Sequence, residues 1–106
     1  MLRPMKYQLV LQFEAASIAD FDQFIALEDL LTATLSRKCR VDGHDCGEGE
    51  FNIFIFTDDP KGAFEEASKV LQDHTQTSGY KAAYREMTSD GYVIVWPPTL
   101  DRFTIT

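Results

Sequence analysis

The residues best suited to chemistry are concentrated in one short stretch, Asp42–Asp59. This stretch carries six carboxylates and no Lys or Arg, and its first eight residues add three glycines, a histidine and a cysteine. The other 88 residues carry 11 acidic and 10 basic side chains, so most of the net charge of −7 lies here. Because local charge density selects partners more than total charge does, a function visible in this sequence should lie in this stretch.

Metal binding is one interpretation of the stretch. Potential ligands occupy every second position, so an extended chain would project them to one side: Asp42, His44, Cys46, Glu48 and Glu50. Carboxylate, imidazole and thiolate groups bind zinc or a related ion, and the first four residues are the candidate ligands of a metal-binding domain or a metal-assisted enzyme. The paired spacings of structural zinc sites are missing. A helix–loop–helix calcium site also fails, because Ile53 stands where its last ligand, a Glu, is required.

Protein binding is the interpretation that we favour. A non-enzymatic interaction module would present its acidic, glycine-rich hairpin to a basic partner protein, as an immunity protein or inhibitor covers a cationic cleft. The candidate contact residues are Asp42, His44, Asp45, Glu48 and Glu50. The simplest alternative is a solvated hairpin without any ligand.

Catalysis has less support in the sequence. Cys46 lies two residues from His44, but the surrounding carboxylates disfavour the thiolate that a nucleophile requires. His74 is expected to interact with a helix C-terminus, and Trp96 to pack in the core or to anchor an interface. We therefore predict no catalytic residue and no cofactor.

The local structure of the stretch has two interpretations. Asp42-Gly43 is a two-residue turn signal that would pair Val41 with His44 and Cys39 with Cys46. Alternatively, the three glycines favour an open loop over Gly43–Gly49, or a strongly bulged hairpin.

The elements around this stretch follow from periodicity and capping. Alternating or continuous apolar runs predict strands, whereas Ser17 and Asp59 are expected to cap two helices, the second with Pro60 in its first turn. The predicted helices are Ile18–Leu35 and a second one from Pro60 to about Gln72. The predicted strands are Tyr7–Phe13, Lys38–Asp42, Glu50–Thr57, Tyr80–Glu86 and Tyr92–Trp96.

This order, β-α-β-β-α-β-β, predicts one α+β domain over residues 1–106. The arrangement expected is a ferredoxin-like βαββαβ sandwich with an additional C-terminal strand, in which two helices cover one face of an antiparallel sheet. Residues 100–106 would form a loose tail or an edge strand. An open second face, or an edge strand, suggests a homodimer.

Composition excludes several classes of partner. A pI near 4.6 argues against nucleic acids and anionic membranes, which demand clustered Lys and Arg. Residues 49–51 replace the basic-Gly-aromatic opening of an RNA-recognition motif with Gly-Glu-Phe. No apolar run has the length of a signal-peptide core or a membrane helix, and two cysteines in such a chain suggest reduced thiols. We expect a cytoplasmic protein.

The segment from Val41 to Pro60, VDGHDCGEGEFNIFIFTDDP, resembles one found in small, uncharacterised bacterial proteins. The resemblance covers about a fifth of the chain and implies a bacterial cytosolic origin, but it brings no known activity with it.

Overall fold

The computed structural model describes residues 5–15, 17–73 and 79–105. Within these residues, two helices and five strands follow one another in the predicted order. They are β1 (Tyr7–Glu14), α1 (Ile18–Thr34), β2 (Cys39–Gly47), β3 (Glu50–Thr57), α2 (Pro60–Gln72), β4 (Lys81–Glu86) and β5 (Val93–Trp96). Within these residues, neither helix has the length and hydropathy needed to cross a membrane.

The sheet is antiparallel throughout, with the strand order β2-β3-β1-β4-β5. The predicted α+β class, with two helices and a five-stranded antiparallel sheet, is confirmed. The four-stranded ferredoxin-like order is not matched exactly, because β5 extends the sheet beyond β4. β2 and β5 are therefore the two edge strands.

Both helices begin at the predicted caps. Oγ of Ser17 accepts a hydrogen bond from the backbone N–H of Asp20 at 3.1 Å. Oδ1 of Asp59 accepts one from Gly62 N–H at 3.1 Å, and Pro60 opens α2, where its missing N–H costs nothing. The neighbouring Asp58 accepts a hydrogen bond from Lys6 N–H at 3.0 Å.

The hydrophobic core lies between the helices and one face of the sheet. Apolar side chains from β1 and β3 meet those from α1 and α2 there, including Leu9, Leu11, Phe51, Ile53, Phe24, Leu27, Leu31, Ala67 and Leu71. The opposite face was expected to be open. It is instead partly covered, because Val10, Asn52 and Ala83 are fully buried on it.

Candidate functional site

The acidic hairpin turns at Glu48-Gly49 and not at Asp42-Gly43. β2 continues to Gly47, which pairs with Glu50 across the turn. Glu48 and Gly49 have φ values of 52° and 77°, the left-handed conformations that a two-residue hairpin turn requires. The tight turn at Asp42-Gly43, and the pairing of Cys39 with Cys46 that follows from it, are wrong. The bulged hairpin is the interpretation closest to the structure.

A β-bulge in β2 decides where the hairpin side chains point. The register shifts between Val41, opposite Ile55, and Gly43, opposite Phe54. Gly43 has a φ of 138°, which glycine adopts without the steric penalty that other residues pay. Asp42 is the extra residue of the bulge. Its side chain therefore does not follow the alternation of side chains between the two faces of the strand.

The bulge and the turn disperse the predicted row of ligands. His44 and Cys46 lie opposite Ile53 and Phe51, on the helix-bearing face, whereas Asp42 occupies the bulge and Glu48 the turn. Over residues 5–15, 17–73 and 79–105, no three His, Cys, Asp or Glu side chains come together in an arrangement that would hold a metal ion.

His44 has a partner that the sequence did not suggest. Its Nδ1 atom lies 2.9 Å from Oε1 of Glu28, on α1. The imidazole also stacks on Phe51, with ring centroids 4.8 Å apart at an interplanar angle of 15°, and makes a T-shaped contact with Phe21 at a centroid distance of 6.0 Å. Three neighbours therefore fix the orientation of this ring.

Glu28 lies on α1 and is almost buried. Only 13 % of its side chain is exposed, and its Oε2 atom is buried without a hydrogen-bond partner among the described residues. The signal was present in the spacing, because Phe24, Glu28 and Leu31 recur at helical intervals and share one helix face. An acid within an apolar stripe indicates a tertiary partner.

An open cleft of about 450 Å³ separates the start of α1 from the hairpin turn. It is lined by Ala15, Ser17, Phe21, Cys46, Gly47, Gly49 and Glu50. A hydrogen bond of 2.8 Å from Ala15 N–H to the carbonyl of Gly49 joins the two sides. Phe21 lies at the flank of α1, with 37 % of its surface exposed beside the cleft.

The two elements that flank the cleft are acidic. Neither α1 nor the hairpin beyond Arg40 contains a Lys or Arg. The hairpin presents the exposed side chains of Asp42, Asp45 and Glu48, and the half-buried Glu50 lines the cleft. The negative charge predicted for the hairpin thus continues onto the neighbouring helix.

Cys46 is an exposed free thiol at this cleft. Shielding from water, followed by the negative charges of Asp45 and Glu28, raises its pKa above the ordinary value. Burial and then the charge of Glu66 raise the pKa of the half-buried Cys39 thiol, against hydrogen bonds with Thr57 and Ser36. The raised pKa of each cysteine disfavours the thiolate, the form in which a cysteine acts as a nucleophile.

Two other candidate residues lie away from the cleft. Trp96 is 42 % exposed on β5 and stacks with Tyr80 and Phe64, at centroid distances of 6.3 Å for both. Trp96 thus packs against neighbouring rings while part of its surface stays exposed. His74 lies outside the described residues.

Comparisons with protein-family models, with curated proteins and with solved structures found no match to the chain. The class of this protein is therefore defined by its own structure, an α+β domain with an acidic hairpin beside an open cleft.

Proposed function

We propose that this protein is a non-enzymatic interaction module, whose acidic hairpin and adjoining cleft bind a basic segment of a partner protein. The observation that carries the proposal is the exposed ring of Phe21 beside a cleft flanked by α1 and by the hairpin beyond Arg40, which bear carboxylates but no Lys or Arg. The candidate contact residues remain Asp42, His44, Asp45, Glu48 and Glu50.

An arginine or lysine of the partner fits this chemistry. Its cationic head would lie over the face of Phe21, an arrangement that contributes about 0.5–1 kcal/mol at exposed sites. The neighbouring carboxylates would accept its N–H donors in charge-assisted hydrogen bonds. Acids spread over the hairpin would also speed association with a basic surface. An immunity protein or inhibitor that covers a cationic cleft works in this way, and we propose that role by analogy of charge.

Affinity capture with a matched charge reversal tests the proposal. Asp45→Lys/Glu48→Lys reverses the hairpin charge, whereas Glu65→Lys/Asp73→Lys makes the same change at exposed positions on and just after α2. We expect basic proteins retained by the unmodified chain and by the α2 variant to be lost from the hairpin variant. Phe21→Ala should weaken their capture. A partner list unaffected by the hairpin reversal would contradict the docking role.

We propose a ferredoxin-like sandwich as the finer description of the fold. The first four strands lie in the order β2-β3-β1-β4, in which each helix connects two strands separated by a third. β5 is then an addition at the edge. Inter-strand backbone contacts measured by NMR, between β1 and β3 and between β1 and β4, test this description.

A homodimer through the β5 edge is a further proposal. β5 exposes half of Val93 and 42 % of Trp96 at the end of the sheet, and an exposed edge strand is a template for pairing. Light scattering after size-exclusion chromatography should show a dimer that Val93→Lys dissociates.

The acidic composition and the cysteine usage agree with a cytoplasmic location, which a fluorescent fusion expressed in the native host would test.

A further inference from the structure

The outer edge of β2 is the longer of the two free edges of the sheet. β2 spans nine residues, whereas β5, at the opposite edge, spans four. Among the described residues β2 pairs only with β3, so the backbone groups on its outer side have no strand partner. An unpaired edge of this length is a template on which a further strand can pair.

Charge is divided by sign along this edge. Where the chain enters β2, it carries Arg37, Lys38 and Arg40. Where it leaves the strand, it carries Asp45 and Glu48. All five side chains are exposed, and none of them forms an ion pair with another described residue. A second copy of β2, running antiparallel beside the first, would therefore set a basic end against an acidic end on both sides.

The bulge in β2 decides which residues of two such strands could face each other. Val41 and His44 lie on the helix-bearing face of the sheet, and Arg40 and Asp45 lie on the other face, because the extra residue shifts the alternation by one. A twofold axis normal to the sheet at the bulge would bring Arg40 opposite Asp45 of the second copy. Val41 would lie opposite His44 in the same way. Both members of each pair then project from the same face, as residues directly opposite in an antiparallel ladder do. In a strand without a bulge, residues 40 and 45 would project from opposite faces, and this twofold pairing would fail.

We propose that two copies of this chain pair antiparallel through their β2 edges, so that the two sheets join into one. The observation that carries the proposal is the match of both charge and side-chain direction in this register. Arg40 meets Asp45 twice, once on each side of the axis, and Arg37 lies level with Glu48 of the other copy. Pairs of opposite charge stabilise neighbouring strands, whereas equal charges placed directly opposite destabilise them. The register therefore fits a second copy of this chain and not an arbitrary strand.

Glycine lies at the centre of this interface. Asp42 would lie opposite Gly43 of the second copy, which has no side chain, so the two Asp42 carboxylates do not face each other directly. A β-bulge and charged side chains commonly protect an edge strand from pairing. Because the charges of β2 are segregated by sign, the same features would exclude strands of other sequence and admit the antiparallel copy.

This pairing does not depend on the basic partner proposed above. It uses two of the same carboxylates, those of Asp45 and Glu48, so a basic partner and a second copy would compete for them. It also lies at the edge of the sheet opposite β5. The pairing is therefore measured on the purified full chain with no other protein present, in a Val93→Lys background that blocks pairing through β5.

Two charge reversals test the pairing through β2. Arg40→Asp sets two acids opposite each other, and Asp45→Arg sets two arginines opposite each other. Each alone should raise the dissociation constant of the dimer about tenfold or more in sedimentation velocity at low ionic strength. An equal mixture of the two variants brings opposite charges together again and should restore the dimer. Lys61→Asp, a reversal at an exposed position on α2, should change nothing. A parent chain that stays monomeric at every concentration, or single variants that dimerise as well as it does, would overturn the proposal.

The two native cysteines test the register without altering a charge. Cys39 would lie opposite Cys46 of the second copy, whereas the two are too far apart along one extended strand to meet each other. Cys39→Ser and Cys46→Ser chains are oxidised with copper phenanthroline in air, which takes up the two protons and two electrons that each disulfide releases. We expect an equal mixture to form a covalent dimer about tenfold faster than either variant alone, because only the mixture places two thiols opposite each other. Equal rates would overturn the twofold register.

Discussion

His44 and Glu28 connect the edge strand to the first helix. Nδ1 of His44 lies 2.9 Å from Oε1 of Glu28, although 16 residues separate the two in the chain. The second carboxylate oxygen of Glu28 is buried without a partner among the described residues. Any change that removes the imidazole therefore leaves a nearly buried carboxylate without its hydrogen-bond partner.

We predict that His44→Ala lowers the free energy of unfolding by about 2 kcal/mol. The loss combines an unpartnered carboxylate, which costs about 1–3 kcal/mol, with the lost stacking on Phe51. Because both side chains are partly exposed, we expect the cost of the unpartnered carboxylate to lie in the lower part of its range. Glu28→Gln retains an acceptor oxygen and should cost less than about 1 kcal/mol. Urea denaturation at pH 7 measures both changes.

Asp29→Asn is the matched control for this pair, since Asp29 is exposed on the same helix and its change should stay within about 0.5 kcal/mol. If His44→Ala costs the same in a Glu28→Ala background, where the acceptor is gone, as in the unmodified chain, the double-mutant cycle shows no coupling. That result would contradict an energetic role for the contact.

Much of the fold was predictable because its signals are local. Alternation marked the first strand, and Ser17 and Asp59 marked the two helix starts. The hairpin turn was missed because Gly43 and Gly49 give the same signal for a positive φ. In the structure, Gly43 lies in the bulge and Gly49 lies in the turn. Strand pairing over the whole hairpin determines which glycine takes which position.

The candidate site was less predictable because its contacts are tertiary. The contact between His44 and Glu28 depends on how α1 crosses the sheet, which no short sequence window encodes. The course of residues 97–105 was missed for a related reason, since this segment lacks a helical or strand period. In the structure, the burial of Val10, Gln12, Asn52 and Ala83 shows that the second face is covered.

The turn glycine, Gly49, should be sensitive to substitution although an added side-chain carbon there would touch nothing. A Cβ on Gly49 would meet no atom within 4 Å, so the cost of Gly49→Ala comes only from its φ of 77°. We expect a loss of about 1–2 kcal/mol. Gly91→Ala is the control, because that position has no positive φ and its nearest neighbour is Ser89 Oγ at 3.8 Å. Comparable losses at both positions in urea denaturation would contradict this assignment.

Asn is the residue that this type of turn prefers before Gly, and Glu48 holds a φ of 52°. We predict that Glu48→Asn raises the free energy of unfolding by a few tenths of a kcal/mol to about 1 kcal/mol. Thermal unfolding of the variant beside the unmodified chain checks the direction, and a lower melting temperature would count against the turn geometry.

Cys46 should react slowly for an exposed thiol. Shielding and the charges of Asp45 and Glu28 raise its pKa, so the reactive thiolate is scarce near neutral pH. In a Cys39→Ser chain, Asp45→Asn should increase the rate of alkylation by iodoacetamide at pH 8 about twofold or more, because one of the opposing charges is gone. Asp73→Asn, remote from the hairpin, should leave the rate unchanged. A rate that falls with Asp45→Asn would contradict the electrostatic cause.

Tyr80 should make the folded state sensitive to alkaline pH. Burial raises the pKa of its phenol above the value of an unfolded tyrosine, about 10, so the folded state holds this proton more tightly. The stability that this provides is complete below that pH and is lost as the pH rises through the folded-state pKa. Tyr80→Phe preserves the ring that stacks on Trp96 but removes the proton, and its stability should therefore fall less between pH 9 and pH 11. Urea denaturation across this range should be done in a Cys39→Ser background, because burial also raises the pKa of that thiol. Parallel curves for the two proteins would show that Tyr80 ionises equally easily in the folded and unfolded states.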